Sequence, residues 1–170
     1  FSFHDISEKN LDLVSRLIQK DIEQNKLPAK IEQSTDRKKS LDGAKYIINC
    51  TRIGGLEAFE HDINIPLQYG VDQCVGDTIC AGGILYGQRN IPQTLNFCED
   101  IKSYSHKDAL FLNYSNPMAM NTWAAISEAK VNTVGLCHGV QGGAKLISKA
   151  LGSENDTDLE YMCSLSLIHI

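Results

Sequence analysis

A chain of 170 residues with 42% hydrophobic and 22% charged residues can build one domain with its own core, and nothing in that balance favours disorder. A net charge of -5 offers no basic stripe to track a phosphate backbone, which argues against nucleic acid as a partner. No apolar run approaches the roughly 20 residues that cross a bilayer, and no basic-then-apolar leader opens the chain. The six cysteines, at 50, 74, 80, 98, 137 and 163, form no Cys-x-x-Cys pair, so reduced thiols in a cytoplasmic, membrane-free protein are expected.

In chain order, Phe1 to His4 reads as a strand. Ser7 then caps a helix in which Leu11, Val14, Leu17, Ile18 and Ile22 recur at helical spacing, ending between Asn25 and Pro28. Lys30 to Ser34 is a candidate short strand. Ala44 to Cys50 is a compact apolar run that stops at Thr51 and a Gly pair, the pattern of a buried parallel strand followed by a turn. A loop without clear periodicity is expected from there through Asp62, Pro66 and Gly70 to Gly83. Further on, a helix is expected over 94–104, a strand over 109–114 and a helix over 120–129. The last two elements are a strand over 131–136 and a helix over 142–151 closed by Gly152. Strands alternating with helices imply a parallel sheet covered on both faces.

Such a sheet binds ligands at the carboxyl ends of its strands, where Asp5, Thr51-Arg52, Asn116 and Cys137-His138 all fall, so the four are expected to share one cleft. Cys137-His138 joins a soft metal ligand to a proton carrier. Taken alone, the dipeptide reads as a buried thiol beside a surface imidazole. Asp5 alone reads as a helix-capping carboxylate, Arg52 as a surface residue after a strand, and Asp77 as a turn residue.

The ordered motifs His4-Asp5-Ile6, Thr51-Arg52-Ile53-Gly54-Gly55, Asp62 to Pro66, Gly76-Asp77-Thr78, Ala81 to Ile84, Asn113 to Met120 and Cys137 to Gln141 run over nearly the whole chain. Together they resemble the NAD-dependent glycoside hydrolases of family four. The resemblance implies a Rossmann-like α/β sheet of the lactate/malate dehydrogenase type without its first strand, Gly-rich turn and C-terminal catalytic domain. Residues 1–152 then form a partial NAD-binding domain, and 153–170 begin the next domain and end in an atypical tail, Leu165 to Ile170. It also implies NAD and a divalent ion, usually manganese, as cofactors, a small glycoside as substrate, and a homo-oligomer at full length.

By the same resemblance Asp5 meets the adenosine ribose and Thr51 the cofactor path, Arg52, Asp77 and Asn116 bind the sugar, Cys137 ligates the metal and His138 is the general acid. The second metal ligand, a His in a Gly-x-Asn-His pattern, and the Tyr base fall on no residue here, and His169 is not assigned. The implied reaction oxidises sugar C3, removes the C2 proton, expels the C1 oxygen and adds water, outside the two-carboxylate scheme. Cys-His-Gly-Val points to alpha-galacturonides, with Gly139 leaving room for a C6 carboxylate and Arg89 as a candidate partner for it. A neutral alpha-galactoside or alpha-glucoside, a lactate/malate-type dehydrogenase and a truncated, non-catalytic product are the rival readings. Without the Gly-rich turn the chain by itself is expected to bind NAD poorly and to be inactive.

Overall fold

The computed structural model describes residues 1–153, and the expectations placed on Cys163, His169 and the segment 165–170 lie outside them. The element order is β1 (Ser2–His4), α1 (Glu8–Asn25), β2 (Glu32–Ser34), α2 (Arg37–Leu41), β3 (Tyr46–Asn49), α3 (Gly55–Leu67), α4 (Cys80–Tyr104), β4 (Leu110–Asn113), α5 (Met118–Ser127), β5 (Thr133–Gly135) and α6 (His138–Ala150).

Every strand pairing among the described residues is parallel, as the alternation of elements requires. The strands form two hydrogen-bonded sheets, β1-β2 and β3-β4-β5. The doubly wound order 3-2-1-4-5-6 accounts for the division. The pair β2-β1 fits its 3-2 positions and the triplet its 4-5-6 positions, and no described strand fills the place between. Tyr46 and Ile48 of β3, 66% and 65% exposed, share one face with Val134 of β5 at 42%, so among the described residues that face of the triplet is not covered and the expectation of a sheet covered on both faces is corrected there.

Ser7 begins α1 as expected, its hydroxyl accepting from the Asn10 N–H at 3.3 Å, and Lys26 ends it in the left-handed region. The helix packs on β1 and β2 along Leu11, Ser15 and Ile22, leaving Val14 and Leu17 exposed. The short α2, absent from the sequence expectation, is tied to α4 by Arg37, which pairs with Asp100, donates to Asn96 at 2.7 Å and lies over Phe97. The core joins Leu41, Cys98, Ile101, Ala109, Phe111, Ala125, Ala129 and Val131 between the β3-β4-β5 sheet and the helices α2, α4 and α5.

The expected loop over 53–83 is the largest correction. It contains α3 and the start of α4, which then runs unbroken for 25 residues through Pro92. The buried positions of α3 are Asp62 and Pro66, and those of the first half of α4 are Gly82, Gly83, Tyr86, Gly87 and Asn90. An inward face made of polar and small residues leaves no apolar stripe to betray the helix. The remaining helices and strands stand where expected with shifted ends. The shift that matters is α6, which begins at His138 rather than at 142, so that Cys137 is its N-cap and no exposed loop follows β5.

Candidate active site at the strand ends

The strands β3 and β4 end on paired asparagines, Asn49 and Asn113, at 6% and 0% exposure. The Asn49 amide donates to Asn113 Oδ1 at 3.0 Å. The Thr51 hydroxyl and N–H donate to Asn49 Oδ1 at 2.9 and 3.2 Å, and the Ser115 N–H donates to Asn113 Oδ1 at 3.2 Å. A cross-tie from the Ser115 hydroxyl to the Thr51 carbonyl, 2.7 Å, joins the two loops. Each strand thus ends in the same Asn-x-Thr/Ser pattern, with the Asn amide closing the turn that follows. That repetition was the signal by which Asn49 and Asn113 could have been found.

Asn116 follows in this loop, half-buried, before a cis bond to Pro117. Its carbonyl accepts from the buried Asn90 amide of α4 at 2.5 Å, and the Asn121 amide holds the Ser115 carbonyl at 3.2 Å. Gly87 leaves room on α4 for the Met120 side chain of α5, whose Sδ would stand 2.8 Å from a Cβ there. The Asn116 side chain makes no hydrogen bond among the described residues, which leaves its amide free for a ligand. Beside it, β5 pairs Gly135 with Asn113, and Leu136 N–H donates to the Asn113 carbonyl at 2.9 Å. Cys137, half-buried, and His138, exposed, come next, one strand away from the Asn116 loop.

A second cluster sits between α3 and α4. Arg52 Nη2 donates to the buried Asp77 carboxylate at 3.1 Å, and the Thr78 hydroxyl donates to the other Asp77 oxygen at 3.1 Å. The Arg52 guanidinium lies 4.7 Å from the Phe59 ring centre and 5.4 Å from that of Tyr86. Arg89 makes a bidentate pair with Asp62, 2.5 and 3.1 Å, and donates to the Ile53 carbonyl at 3.0 Å. Its hydrogen bonds to Asp62 raise the guanidinium further, against an opposing effect of burial. Burial raises the Tyr86 phenol, which Arg52 opposes and Asp77 reinforces. The Arg89 guanidinium stays cationic and the Tyr86 phenol neutral near pH 7.

The structure therefore brings Arg52 to Asp77, and Thr51 to the Asn116 loop, with Cys137-His138 on the adjoining strand end. Asp5 stands apart in the other sheet, its carboxylate accepting from the Ser7 N–H at 2.7 Å with no described hydrogen bond to the rest. Its observed contact is a turn onto the N–H of Ser7, which itself caps α1. Arg89, expected as a partner for a sugar carboxylate, is committed to Asp62 instead. Asp62, Tyr86 and Asn90 were not singled out as site residues because their partners come from distant positions. As for a metal, among the described residues no three His, Cys, Asp or Glu side chains converge, so a site at Cys137 would be only part of a shell here. No helix of the described residues is long and apolar enough to cross a membrane.

Parallel strands alternating with helices, with polar loops gathered at the strand ends, define a Rossmann-like α/β fold. The chain belongs to the family 4 glycosyl hydrolases, whose family model matches residues 1–153. An alpha-galactosidase of Rhizobium meliloti (strain 1021) is 60% identical over 164 residues, 96% of this chain and 33% of that protein. An alpha-galacturonidase of Thermoanaerobacterium saccharolyticum is 38% identical over 114 residues, 66% of this chain and 24% of that protein. Among solved structures, a 6-phospho-alpha-glucosidase from gut microorganisms in complex with NAD and glucose-6-phosphate aligns with a TM-score of 0.77 at 26% identity, over 89% of this chain and 34% of that one. A 6-phospho-alpha-glucosidase holding NAD and Mn2+ shares the fold, with a TM-score of 0.77 at 23% identity over the same 89% of this chain and 34% of its own. The chain thus spans about a third of the length of the relatives it matches.

Proposed function

We propose that the full-length protein is an NAD- and manganese-dependent glycosidase acting on neutral alpha-galactosides. The observation that carries the choice of sugar is the Arg89–Asp62 pair, 2.5 and 3.1 Å, which removes the cation expected to meet a C6 carboxylate. Arg52 is likewise neutralised by Asp77 at 3.1 Å, so a hydroxymethyl group at C6 matches the charge of the site better than a carboxylate does. The 60% identity to an alpha-galactosidase supports the same sugar. The alpha-galacturonide reading retains two supports, the motif Cys137-His138-Gly139-Val140 and the 38% identity to an alpha-galacturonidase.

When bound, NAD supplies reversible hydride exchange at a sugar carbon and the metal supplies Lewis-acid polarisation of the neighbouring oxygens. In this reading Cys137 would be a ligand of the metal. Asn116 orients the sugar through an amide that both donates and accepts. Arg52 and Asp77 bind further hydroxyls, since each carboxylate oxygen keeps a lone pair beyond the one used by Arg52 or Thr78. His138 gives its proton to the leaving oxygen from the exposed first position of α6. Asp5 and Thr51 meet the cofactor. A cytoplasmic location and a homo-oligomer belong to the same proposal.

The test uses the full-length protein with NAD, Mn2+ and reductant, and compares kcat/KM for p-nitrophenyl alpha-galactoside with that for its C6-carboxylate counterpart. A preference of at least about tenfold for the neutral sugar is expected, together with loss of turnover in Cys137→Ser. Preference for the galacturonide would overturn the sugar, and wild-type turnover of Cys137→Ser would overturn the metal ligand.

A further inference from the structure

We propose that Phe59 and Tyr86 form an aromatic clamp that positions Arg52 for the sugar. The inference rests on the reading that Arg52 contacts substrate, and adds two residues that nothing else in the site explains. Arg52 is a long side chain on a loop, and its one ion-pair contact, Nη2 to Asp77 at 3.1 Å, leaves several torsions unconstrained. The rings supply the missing constraint. Phe59 from α3 and Tyr86 from α4 lie 4.7 and 5.4 Å from the guanidinium carbon, within the range where a ring face attracts a cation.

The inner half of the clamp is itself fixed. Tyr86 is 1% exposed and carries a second guanidinium, that of Arg89, at 5.1 Å. Arg89 is anchored at both ends of the contact, on Asp62 and on the carbonyl of Ile53, the residue after Arg52. One buried ring therefore bears on the Arg52 side chain directly, and on its backbone through Arg89. Arg52, whose side chain is 35% exposed, donates one N–H to protein among the described residues, to Asp77, so further donors of its fork remain for a ligand while its plane is held. A guanidinium oriented before binding loses less freedom when the sugar arrives, so the clamp acts on affinity and leaves the chemical step alone.

The experiment measures kcat and KM of the full-length enzyme on p-nitrophenyl alpha-galactoside, with melting temperatures to confirm folding. Tyr86→Met, which keeps bulk and removes the ring, is expected to raise KM about 5- to 10-fold with kcat changed less than about twofold. The conservative Tyr86→Phe is expected to recover most of that loss. In an Arg52→Ala background, Tyr86→Met should add no further rise, because the ring then has no guanidinium to hold. A KM rise of equal size in that background would overturn the clamp while leaving Arg52 a substrate ligand. An Arg52→Ala enzyme with wild-type KM would overturn the Arg52 reading itself and the clamp with it. Should Tyr86→Met fail to fold, Phe59→Leu at the half-buried outer ring takes its place, with a rise of about threefold expected and an unchanged KM overturning the proposal.

Discussion

Asp62→Ala should open the α3–α4 region without unfolding the domain. Asp62 is 3% exposed and spends both oxygens on Arg89, whose side chain is 28% exposed. Removing one partner of a fully buried pair costs about 3–5 kcal/mol, since the remaining charge is left without a counter-ion. Water reaches part of Arg89, and its bond to the Ile53 carbonyl survives, so a cost of about 2–3 kcal/mol is the better figure. Read as local opening, this equals a fall of about 30- to 150-fold in amide protection, measurable by hydrogen-exchange mass spectrometry on peptides covering α3 and the first turns of α4. Asp62→Asn keeps one acceptor but also leaves the guanidinium without a counter-ion, so it should lose nearly as much, about 2 kcal/mol. The Arg89 guanidinium is raised in the folded state, so its contribution is complete below its ordinary pKa and is lost only in stronger alkali. On the Arg89 side, the difference between wild type and mutant should therefore stay flat from about pH 6 to 9. Protection changed by less than about threefold, or lost equally from β4 and α5, would refute the reasoning.

Two further outcomes concern cysteines. Burial raises the Cys98 thiol from 9.0 to about 11, so the unfolded chain ionises first and stability should fall as pH rises through that window. The loss is about 2–3 kcal/mol at most, and denaturant titrations at stepped pH should show it in wild type and not in Cys98→Ala; equal slopes would refute it. Cys80 holds φ 69 at the start of α4, a left-handed conformation that costs a side-chain-bearing residue about 1–2 kcal/mol. Cys80→Gly should raise the melting temperature, after the extra freedom of Gly in the unfolded chain is subtracted, and a lower value would show that the thiol makes a compensating contact.

The legible parts of this chain were those whose burial is apolar. The strands β3 and β4 stood out as Tyr46-Ile47-Ile48 and Leu110-Phe111-Leu112, and their ends located Thr51 and Asn116 by the rule that parallel sheets bind at carboxyl ends. The helix α3 was invisible because its inward positions are Asp62 and Pro66, and a hydropathy pattern cannot register a helix held by an ion pair to a residue 27 positions away. The same separation hid the fate of Arg89, a cation that sequence could name but not pair. The extent of the Cys137 loop failed for a different reason: Gly139, Gly142 and Gly143 weaken helix propensity over the first turns of α6, and the structure makes those turns helical regardless.

The helix α4 links these two kinds of burial in one element. Its second half places Thr94, Cys98 and Ile101 inward, with Cys98 and Ile101 in the apolar core, while its first half meets the site through Gly87 against the Met120 side chain, Asn90 on the Asn116 carbonyl, and Tyr86 and Arg89 on the Arg52 loop. Pro92 falls between the halves, where the missing N–H removes one intrahelical hydrogen bond. Apolar burial supplies most of the global stability, whereas polar contacts return little net free energy each. The site half is therefore expected to open at lower cost than the core half, which is why the Asp62 substitution is read by regional exchange instead of a global melt. A region fixed by hydrogen bonds and guanidinium contacts keeps defined geometry while remaining able to open, and the anchoring of α4 in the core keeps that opening local.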